Sequence, residues 1–198
     1  MLASEYDGGA TKSGVRIAAI ATGPIGKGRG RRSGKKALLV CVIGTMNGVE
    51  GVLSTSVTID GSDATGRIIG MVKRSRFREQ VRVLAFNGIA LAGLNILNVR
   101  KLRSELGASV LVVTRHKPRP SLLMKALKAL RDGTGADVRE RAVILKSQKW
   151  SSAMDGFYVQ SYIGTAETKR ILKTAVSLLR LSHLIASGVS RGESKGRI

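Results

Sequence analysis

The sequence holds a single cysteine, Cys41, among 198 residues, so no disulfide can form within the chain. Cys41 lies in the apolar stretch ALLVCVIG, which predicts a buried thiol rather than a reactive one. The chain also lacks any apolar run of about 18 residues, and its first residues show no secretory signal pattern. These absences exclude a disulfide-stapled scaffold and predict a cytoplasmic protein with no membrane partner.

Acidic and aromatic residues are scarce as well. Only 13 Asp and Glu stand against 34 Lys and Arg, which gives a net charge of +21 and a pI near 11.2. A field of that sign attracts polyanions, with nucleic acid as the first partner to expect and an anionic membrane surface as the second. Three Phe, three Tyr and one Trp are too few for a platform that stacks successive bases of a single strand. Structured RNA or duplex DNA, contacted through the backbone, fits this composition better.

Apolar runs and apolar stripes alternate along the chain. Strands are predicted at 15–21, 37–46, 52–59, 81–86, 109–115 and 157–163, and helices from Ser62 or Asp63 to about Phe77 and at 99–107, 121–133 and 166–187. Short connections favour an antiparallel meander of the first three strands, and the βα units after it predict an α/β fold with helices on the faces of a mixed sheet. This is the order of the ribonuclease-H-like fold. We expect one such domain over 15–190, between an N-terminal extension, 1–14, and a basic tail, 191–198.

The first predicted strand is followed by a cationic loop at 26–36. Six of its eleven residues are Lys or Arg, four are Gly, and none is acidic. Glycine lets backbone approach a ligand closely, and Arg and Lys neutralise phosphates, so the loop predicts a phosphate-binding segment. A merely solvated loop is the alternative. A nucleotide-binding P-loop fits less well, because Gly28 stands where the Mg²⁺-binding Ser or Thr belongs.

Three further basic clusters extend this prediction: one around Phe77, one after the strand at 109–115, and the tail. The predicted nucleic-acid-binding residues are Lys27, Arg29, Arg31, Arg32, Lys35, Lys36, Lys73, Arg74, Arg76, Arg78, Arg115, Lys117, Arg119, Arg191, Lys195 and Arg197. His116 has no Cys or His neighbours suited to zinc, and a packed His183 is expected in the last helix.

The stretches LSTSVTIDGSDAT, KRSRFREQVRVLAFNGI, AGLNILNV and LSHLIASGVSRGES resemble the archaeal endonuclease dU family. The resemblance runs from about Val15 to the C-terminus. The family is similar to endonuclease V and shares the ribonuclease-H-like fold, which implies metal-dependent cleavage of a nucleic-acid strand.

The chain departs from that family at the positions that would hold the metal. In the family the first strand ends in a pair of Asp before Gly-Pro, where this chain has Ala21 and Thr22. Two further family Asp match Asn87 and Asn98, and only Glu79 remains of the implied ligand set. Asp60 and Asp63 persist as predicted turn and cap residues. Divalent cations such as Mg²⁺ need charged oxygen ligands, so we predict no metal, no cofactor and no catalytic residue, with Glu79 as a weak remnant.

Two functions are carried forward. The first is a nucleic-acid-binding protein that favours structured RNA, as a ribosome-associated or ribosomal component built on a nuclease-like fold. The alternative is a metal-dependent endonuclease, using Mg²⁺, that acts on DNA containing deaminated or unusual bases.

Overall fold

The computed structural model of the chain describes residues 14–26, 34–148 and 152–193, and a seven-stranded mixed sheet runs through them. Its strands, with a separate short hairpin of β5 and β6, are β1 Ile17–Thr22, β2 Lys36–Thr45, β3 Gly48–Thr58, β4 Val83–Phe86, β5 Ala90–Leu91, β6 Asn95–Ile96, β7 Ser109–Thr114, β8 Ser152–Met154 and β9 Phe157–Ser161. The helices are α1 Ala64–Lys73, α2 Val99–Leu106, α3 Pro120–Thr134, α4 Arg139–Lys146 and α5 Thr165–Arg191.

The strand order in the sheet is β3-β2-β1-β4-β7-β9-β8. Strands β1, β2 and β3 form the expected antiparallel meander, and β4 and β7 continue the sheet parallel to β1. Strand β9 then pairs antiparallel with β7. The predicted ribonuclease-H-like mixed sheet with helices on its faces is therefore confirmed, whereas β5, β6, β8 and α4 were not predicted.

Helices cover both faces of the sheet. Alternate side chains of β1 point to opposite sides, so Ala18 and Ile20 belong to one apolar cluster and Ile17 and Ala19 to the other. The first cluster is closed by α1, α2, α3 and α4, and the second by α5. Cys41 is fully buried in the first cluster, as expected, and burial raises the pKa of its thiol to about 12.

The parallel strands give the sheet two edges with different roles. The carboxyl ends of β1, β4 and β7 meet at one edge, which we call the carboxyl edge, and their first residues meet at the opposite, amino edge. Helix α1 starts beside the end of β3 at the carboxyl edge and returns the chain to the amino edge, where 74–82 leads into β4. Strand ends and helix ends therefore alternate between the two edges.

Helix α1 ends at Lys73, four residues before the predicted end at Phe77. The Ser75 hydroxyl donates to the Val72 carbonyl and accepts from the Phe77 N–H, which turns the chain out of the helix. Phe77 is buried and covers Gly51 of β3, where a Cβ would lie 2.6 Å from the phenyl ring. The helix is shorter than predicted because Phe77 packs against the sheet.

Two features hold α5 against the first strand. The buried Ser182 hydroxyl donates to the Ala19 carbonyl at 2.8 Å and accepts from the Val42 N–H at 3.3 Å. Farther along, Gly23 passes so close to α5 that a Cβ would lie 2.6 Å from Ser190 Oγ and 2.9 Å from the Ala186 carbonyl oxygen. The end of α5 thus lies beside the carboxyl end of β1.

Helix α4 is tied to the rest of the fold by a buried guanidinium. Arg141 is 4% exposed, and its Nη1 donates to the carbonyl oxygens of Asp60, Gly61 and Leu94 at 2.6, 3.2 and 3.3 Å. Its Nη2 donates to the Asp137 carbonyl at 3.0 Å. Arg141 therefore joins α4 to the turn after β3 and to the hairpin of β5 and β6. Among the described helices, none is both long and apolar enough to cross a bilayer.

Candidate nucleic-acid interface

The cationic loop begins and ends at the carboxyl edge. The Gly23 N–H donates to the Leu38 carbonyl at 2.9 Å, which fixes the chain after β1. On the returning side the Gly34 N–H donates to Ile59 O at 2.9 Å, and the Ile59 N–H donates to Lys35 O at 2.7 Å. Four of the predicted phosphate-binding residues lie outside the described residues: Lys27, Arg29, Arg31 and Arg32.

The two lysines that close this loop differ in their surroundings. Both lysines are exposed, but Lys36 Nζ donates to Thr58 Oγ1 at 2.7 Å and lies 3.5 Å from Asp63 Oδ2. Burial raises the pKa of Asp63, but hydrogen bonds from the Thr58 backbone, Asn95 and the Thr58 hydroxyl outweigh it and leave the pKa lowered. The Asp63 carboxylate is therefore ionised beside Lys36, and Lys35 is the better placed of the two lysines for phosphate.

Asp63 and Asp60 have structural roles close to the predicted ones. Asp63 is the N-cap residue of α1, yet its carboxylate bonds back to Thr58 and Asn95 instead of capping the helix. Asp60 is buried in a left-handed turn with φ 60°, and its carboxylate accepts from the Leu94 N–H at 3.0 Å. Both residues brace the chain around the end of β3.

The segment that follows β7 places a second group of cations at the carboxyl edge. Arg115, Lys117 and Arg119 are exposed there, and Arg119 is the N-cap residue of α3. The Thr114 hydroxyl donates to the His116 carbonyl at 2.9 Å and holds the first turn of this segment. The cluster predicted around 114–119 thus shares an edge with both ends of the cationic loop.

A cavity of about 640 Å³ opens between this segment and the end of β4. Its walls come from the loop after β4, from β7 and the segment that follows it, from β9 and from the start of α3. The lining residues are Gly88, Ile89, Ala90, Val112, Thr114, His116, Lys117, Pro118, Arg119, Leu122, Leu123, Tyr158 and Gln160. The floor is ordered, because the buried Gln160 donates through Nε2 to Gln148 Oε1 at 3.1 Å and to the Tyr162 hydroxyl at 3.0 Å. The cavity combines apolar walls, the Tyr158 ring, the His116 imidazole and a cationic rim.

This cavity was not predicted from the sequence. The strand containing Tyr158 and Gln160 was predicted, but its pairing with β7 joins residues 44 positions apart, as in the Thr114–Tyr158 register. No local pattern signals such a pairing. The one available hint was the His-Lys-Pro-Arg-Pro stretch directly after a strand, which is a loop at a strand end.

The residues at the carboxyl edge do not fit a Mg²⁺ site. Ala21 offers no ligand, Thr22 and Asn87 offer neutral oxygens, and Asn98 Oδ1 accepts from the Lys101 N–H as the N-cap of α2. Glu79 lies at the amino edge, beside Arg78 at 3.0 Å. The five residue-to-residue steps from Arg82 to Asn87 span roughly 16 Å of strand, so Glu79 is not brought to the other positions. Within the described ranges, no three His, Cys, Asp or Glu side chains form a group that could hold a metal ion.

The basic cluster around Phe77 is separated from the other predicted contacts. Lys73, Arg74, Arg76 and Arg78 are all exposed at the amino edge, the length of the sheet away from 114–119. We predicted that these cations and those of the cationic loop bind nucleic acid as one set. In the structure the cations at 73–78 lie at the opposite edge of the sheet from the ends of that loop.

The last predicted contacts follow α5. Arg191 is the final residue of α5, exposed at the carboxyl edge, while Lys195 and Arg197 lie outside the described part of the chain. His183 is partly buried, with its Nε2 3.4 Å from Ser187 Oγ, as expected for a packed, hydrogen-bonded side chain. The carboxyl edge therefore holds the two ends of the cationic loop, the 115–119 cations and the end of α5, and of these the 115–119 segment contributes residues to the cavity.

Comparisons with known proteins agree with this architecture. A family model described as Endonuclease dU matches residues 13–190. A UPF0215 protein of Methanothermobacter thermautotrophicus is 36% identical over 195 residues, covering 93% of this chain and 92% of the relative. A crystal structure from Archaeoglobus fulgidus superposes with a TM-score of 0.74 at 27% identity, covering 88% of this chain and 98% of that one. The crystal structure of human ENDOV is more distant, at a TM-score of 0.44 and 11% identity over 87% of this chain and 86% of its own.

Proposed function

The chain belongs to the endonuclease dU family, and from that premise we propose that it binds structured RNA at the carboxyl edge of its sheet without cleaving it. Family and fold together suggest a nuclease-like protein that binds nucleic acid. Our proposal goes further on three points: the bound polymer is RNA, it binds at the carboxyl edge, and the protein does not use a metal ion to cleave it.

One observation carries the proposal. At the carboxyl edge, where the family resemblance implies acidic metal ligands, the chain has Ala21, Thr22 and Asn87, while exposed cations surround the same edge. A metal-dependent nuclease needs carboxylates to hold Mg²⁺ against its hydration shell. A backbone-binding protein needs cations alone, and each one that neutralises a phosphate releases counterions. The residues at this edge support binding and do not support cleavage.

The cavity favours RNA over duplex DNA. RNA loops and bulges present unpaired bases that stack on aromatic side chains while their phosphates are held by cations. Tyr158 and the apolar walls suit one such base, and Lys117 and Arg119 at the rim suit the phosphates beside it. Because ribosomal RNA is rich in such loops, we place the protein in the cytoplasm as a ribosome-associated component.

The binding site is tested with an RNA stem-loop at several salt concentrations. Replacing Arg115, Lys117 and Arg119 by Ser removes three exposed cations, so the slope of log affinity against log salt should flatten by about 2 to 3. The matched control replaces Lys169, Lys173 and Arg180, three exposed cations of α5, and should leave the slope near the wild-type value. Equal slopes for the two triple variants would show that the carboxyl edge is not the contact.

The ribosomal location is tested by sedimentation of a native lysate through sucrose at low salt. Co-migration of the protein with a ribosomal subunit, and its release by high salt or RNase, is the expected result. Confinement to the light fractions would refute the ribosomal location but leave the RNA-binding assay to stand on its own.

A second candidate is a metal-dependent endonuclease acting on DNA with deaminated or unusual bases, which family membership favours. It predicts cleavage of such DNA with Mg²⁺ or Mn²⁺ that is lost on Glu79→Gln. Because Glu79 is 78% exposed at the amino edge, we expect no cleavage and no effect of that substitution. Cleavage that survives purification and depends on Asn87 would instead establish the enzyme.

A further inference from the structure

The amino edge has its own concentration of positive charge. Residues 73–82 contain five cations and one acid, and all six side chains are exposed. The one acid, Glu79, pairs with Arg78, and Lys73 pairs with Glu105 of α2. In the part of the chain that the structure describes, Arg74 and Arg82 form no ion pair with a carboxylate, whereas Arg76 lies near enough to the Glu50 carboxylate to contribute to its lowered pKa. Surfaces that serve only solubility intersperse the two signs more evenly.

The backbone of this segment is held in place by the fold. Phe77 is buried against β3, and the Arg76 guanidinium lies 4.8 Å from the centre of its ring. Arg76 Nη2 also donates to the Glu50 carbonyl at 3.3 Å, and Arg82 Nη1 donates to the Glu79 carbonyl at 3.0 Å. A guanidinium stacked on an aromatic ring is restricted in its motion and keeps donors available for a phosphate.

The segment also forms a concave site. A cavity of about 450 Å³ is lined entirely by its side chains, which are Lys73, Arg74, Ser75, Arg76, Arg78, Glu79 and Gln80. Four of the seven are cationic, and two more carry neutral donors. Such a lining, with more polar than apolar surface, suits the oxygens of a phosphodiester backbone.

This site lies at the opposite ends of the strands from the carboxyl edge. The strands between the two edges span roughly 16 Å, and the two groups of cations lie at opposite ends of them. We propose that the amino edge is a second phosphate-binding surface, so that one protein molecule bridges two segments of nucleic acid. The inference relies on the proposed function only for the nature of the polymer.

Bridging is tested with two labelled RNA stem-loops, one of them immobilised. The wild-type protein should retain the second RNA on the first. Replacing Arg74, Arg76 and Arg78 by Ser should lower that co-capture at least tenfold, while binding of the immobilised RNA alone changes no more than about threefold. The matched control replaces Lys125, Lys128 and Arg131 on the exposed side of α3, which removes the same charge, and it should bridge like wild type.

The outcomes separate this inference from the proposed function. Tight binding of the first RNA without co-capture of the second would overturn bridging and leave the carboxyl-edge site intact. Equal co-capture by the amino-edge and α3 variants would also overturn it. The triple variant Arg74→Lys, Arg76→Lys and Arg78→Lys keeps the charge and should retain most of the co-capture. A failure of that variant to do so, with an unchanged melting temperature, would show that charge at this surface is not the cause.

Discussion

Arg141 offers the sharpest test of how the fold supports the carboxyl edge. Its guanidinium is buried and donates to four carbonyl oxygens, three of them in the turn after β3 and the loop before β6. The same turn holds Ile59, which bonds to Lys35 at the end of the cationic loop. Replacing Arg141 by Met keeps much of the side-chain length and removes every donor.

The Arg141→Met substitution should destabilise the protein because it leaves buried carbonyl oxygens without a hydrogen-bond donor. Each buried carbonyl that loses its partner costs about 1 to 3 kcal/mol, and part of this is offset because the buried charge disappears as well. With two or three carbonyls losing a good bond, we expect the free energy of unfolding to fall by about 3 to 5 kcal/mol. For a chain of this size that is a drop in melting temperature of roughly 10 °C.

The assay is urea unfolding of the wild type and two variants, with a thermal scan on each. The control is Arg139→Met on the same helix, where the arginine side chain is 89% exposed and paired with Asp137. Solvent screens an exposed pair of this kind, so this variant should unfold near the wild-type midpoint. A difference between the two variants of less than about 1 kcal/mol would refute the view that Arg141 holds α4 to the turn.

Two further predictions concern the same edge. Gly23→Ala places a Cβ 2.9 Å from the Ala186 carbonyl oxygen and should lower the free energy of unfolding by about 1 to 3 kcal/mol. The control is Gly66→Ala, whose Cβ meets nothing within 4 Å, so this variant should not be destabilised. Equal urea midpoints for the two variants would contradict the close approach of Gly23 to α5. The pKa of Asp63 is lowered in the folded protein, so its carboxylate contributes fully to stability above its unfolded-state pKa near 4. That contribution is lost as the pH falls through the lower pKa of the folded state. The stability difference between wild type and Asp63→Asn, about 1 to 2 kcal/mol at pH 7, should therefore shrink towards pH 3, and a constant difference would show that the carboxylate is not the cause.

The elements that could be predicted are those with strong local signals. Helix α2 was predicted to end at Gly107, and Gly107 is its C-cap in the left-handed conformation, donating to the Arg103 carbonyl. By contrast, the sequence of α4, RERAVILK, buries only Arg141 and Leu145, so it has no apolar stripe to recognise. Strands β5 and β6 have two residues each, too few for an alternating pattern.

The residues of the candidate site could be identified from the sequence, but their full arrangement in space could not. The cations and the missing carboxylates are visible in the sequence, since they depend on residue identity alone. The separation of the cations at 73–78 from those at 114–119 could also have been predicted from the sequence. One cluster follows a helix and the other follows a strand, and helix ends and strand ends lie at opposite edges of the sheet. The cavity could not be predicted from the sequence, since Gly88 and Tyr158 come together only through the pairing of β7 with β9.

The bonds of Ser182 have a consequence for the order in which the molecule assembles. They join the last helix to Ala19 and Val42, across 163 and 140 residues of chain. Until Ser182 has been synthesised, one apolar face of β1 and β2 has no helix to cover it, and contacts across such long stretches form slowly. A growing chain therefore carries its cationic residues before α5 has docked, and the proposed nucleic-acid-binding surface is complete only after the last helix has been added.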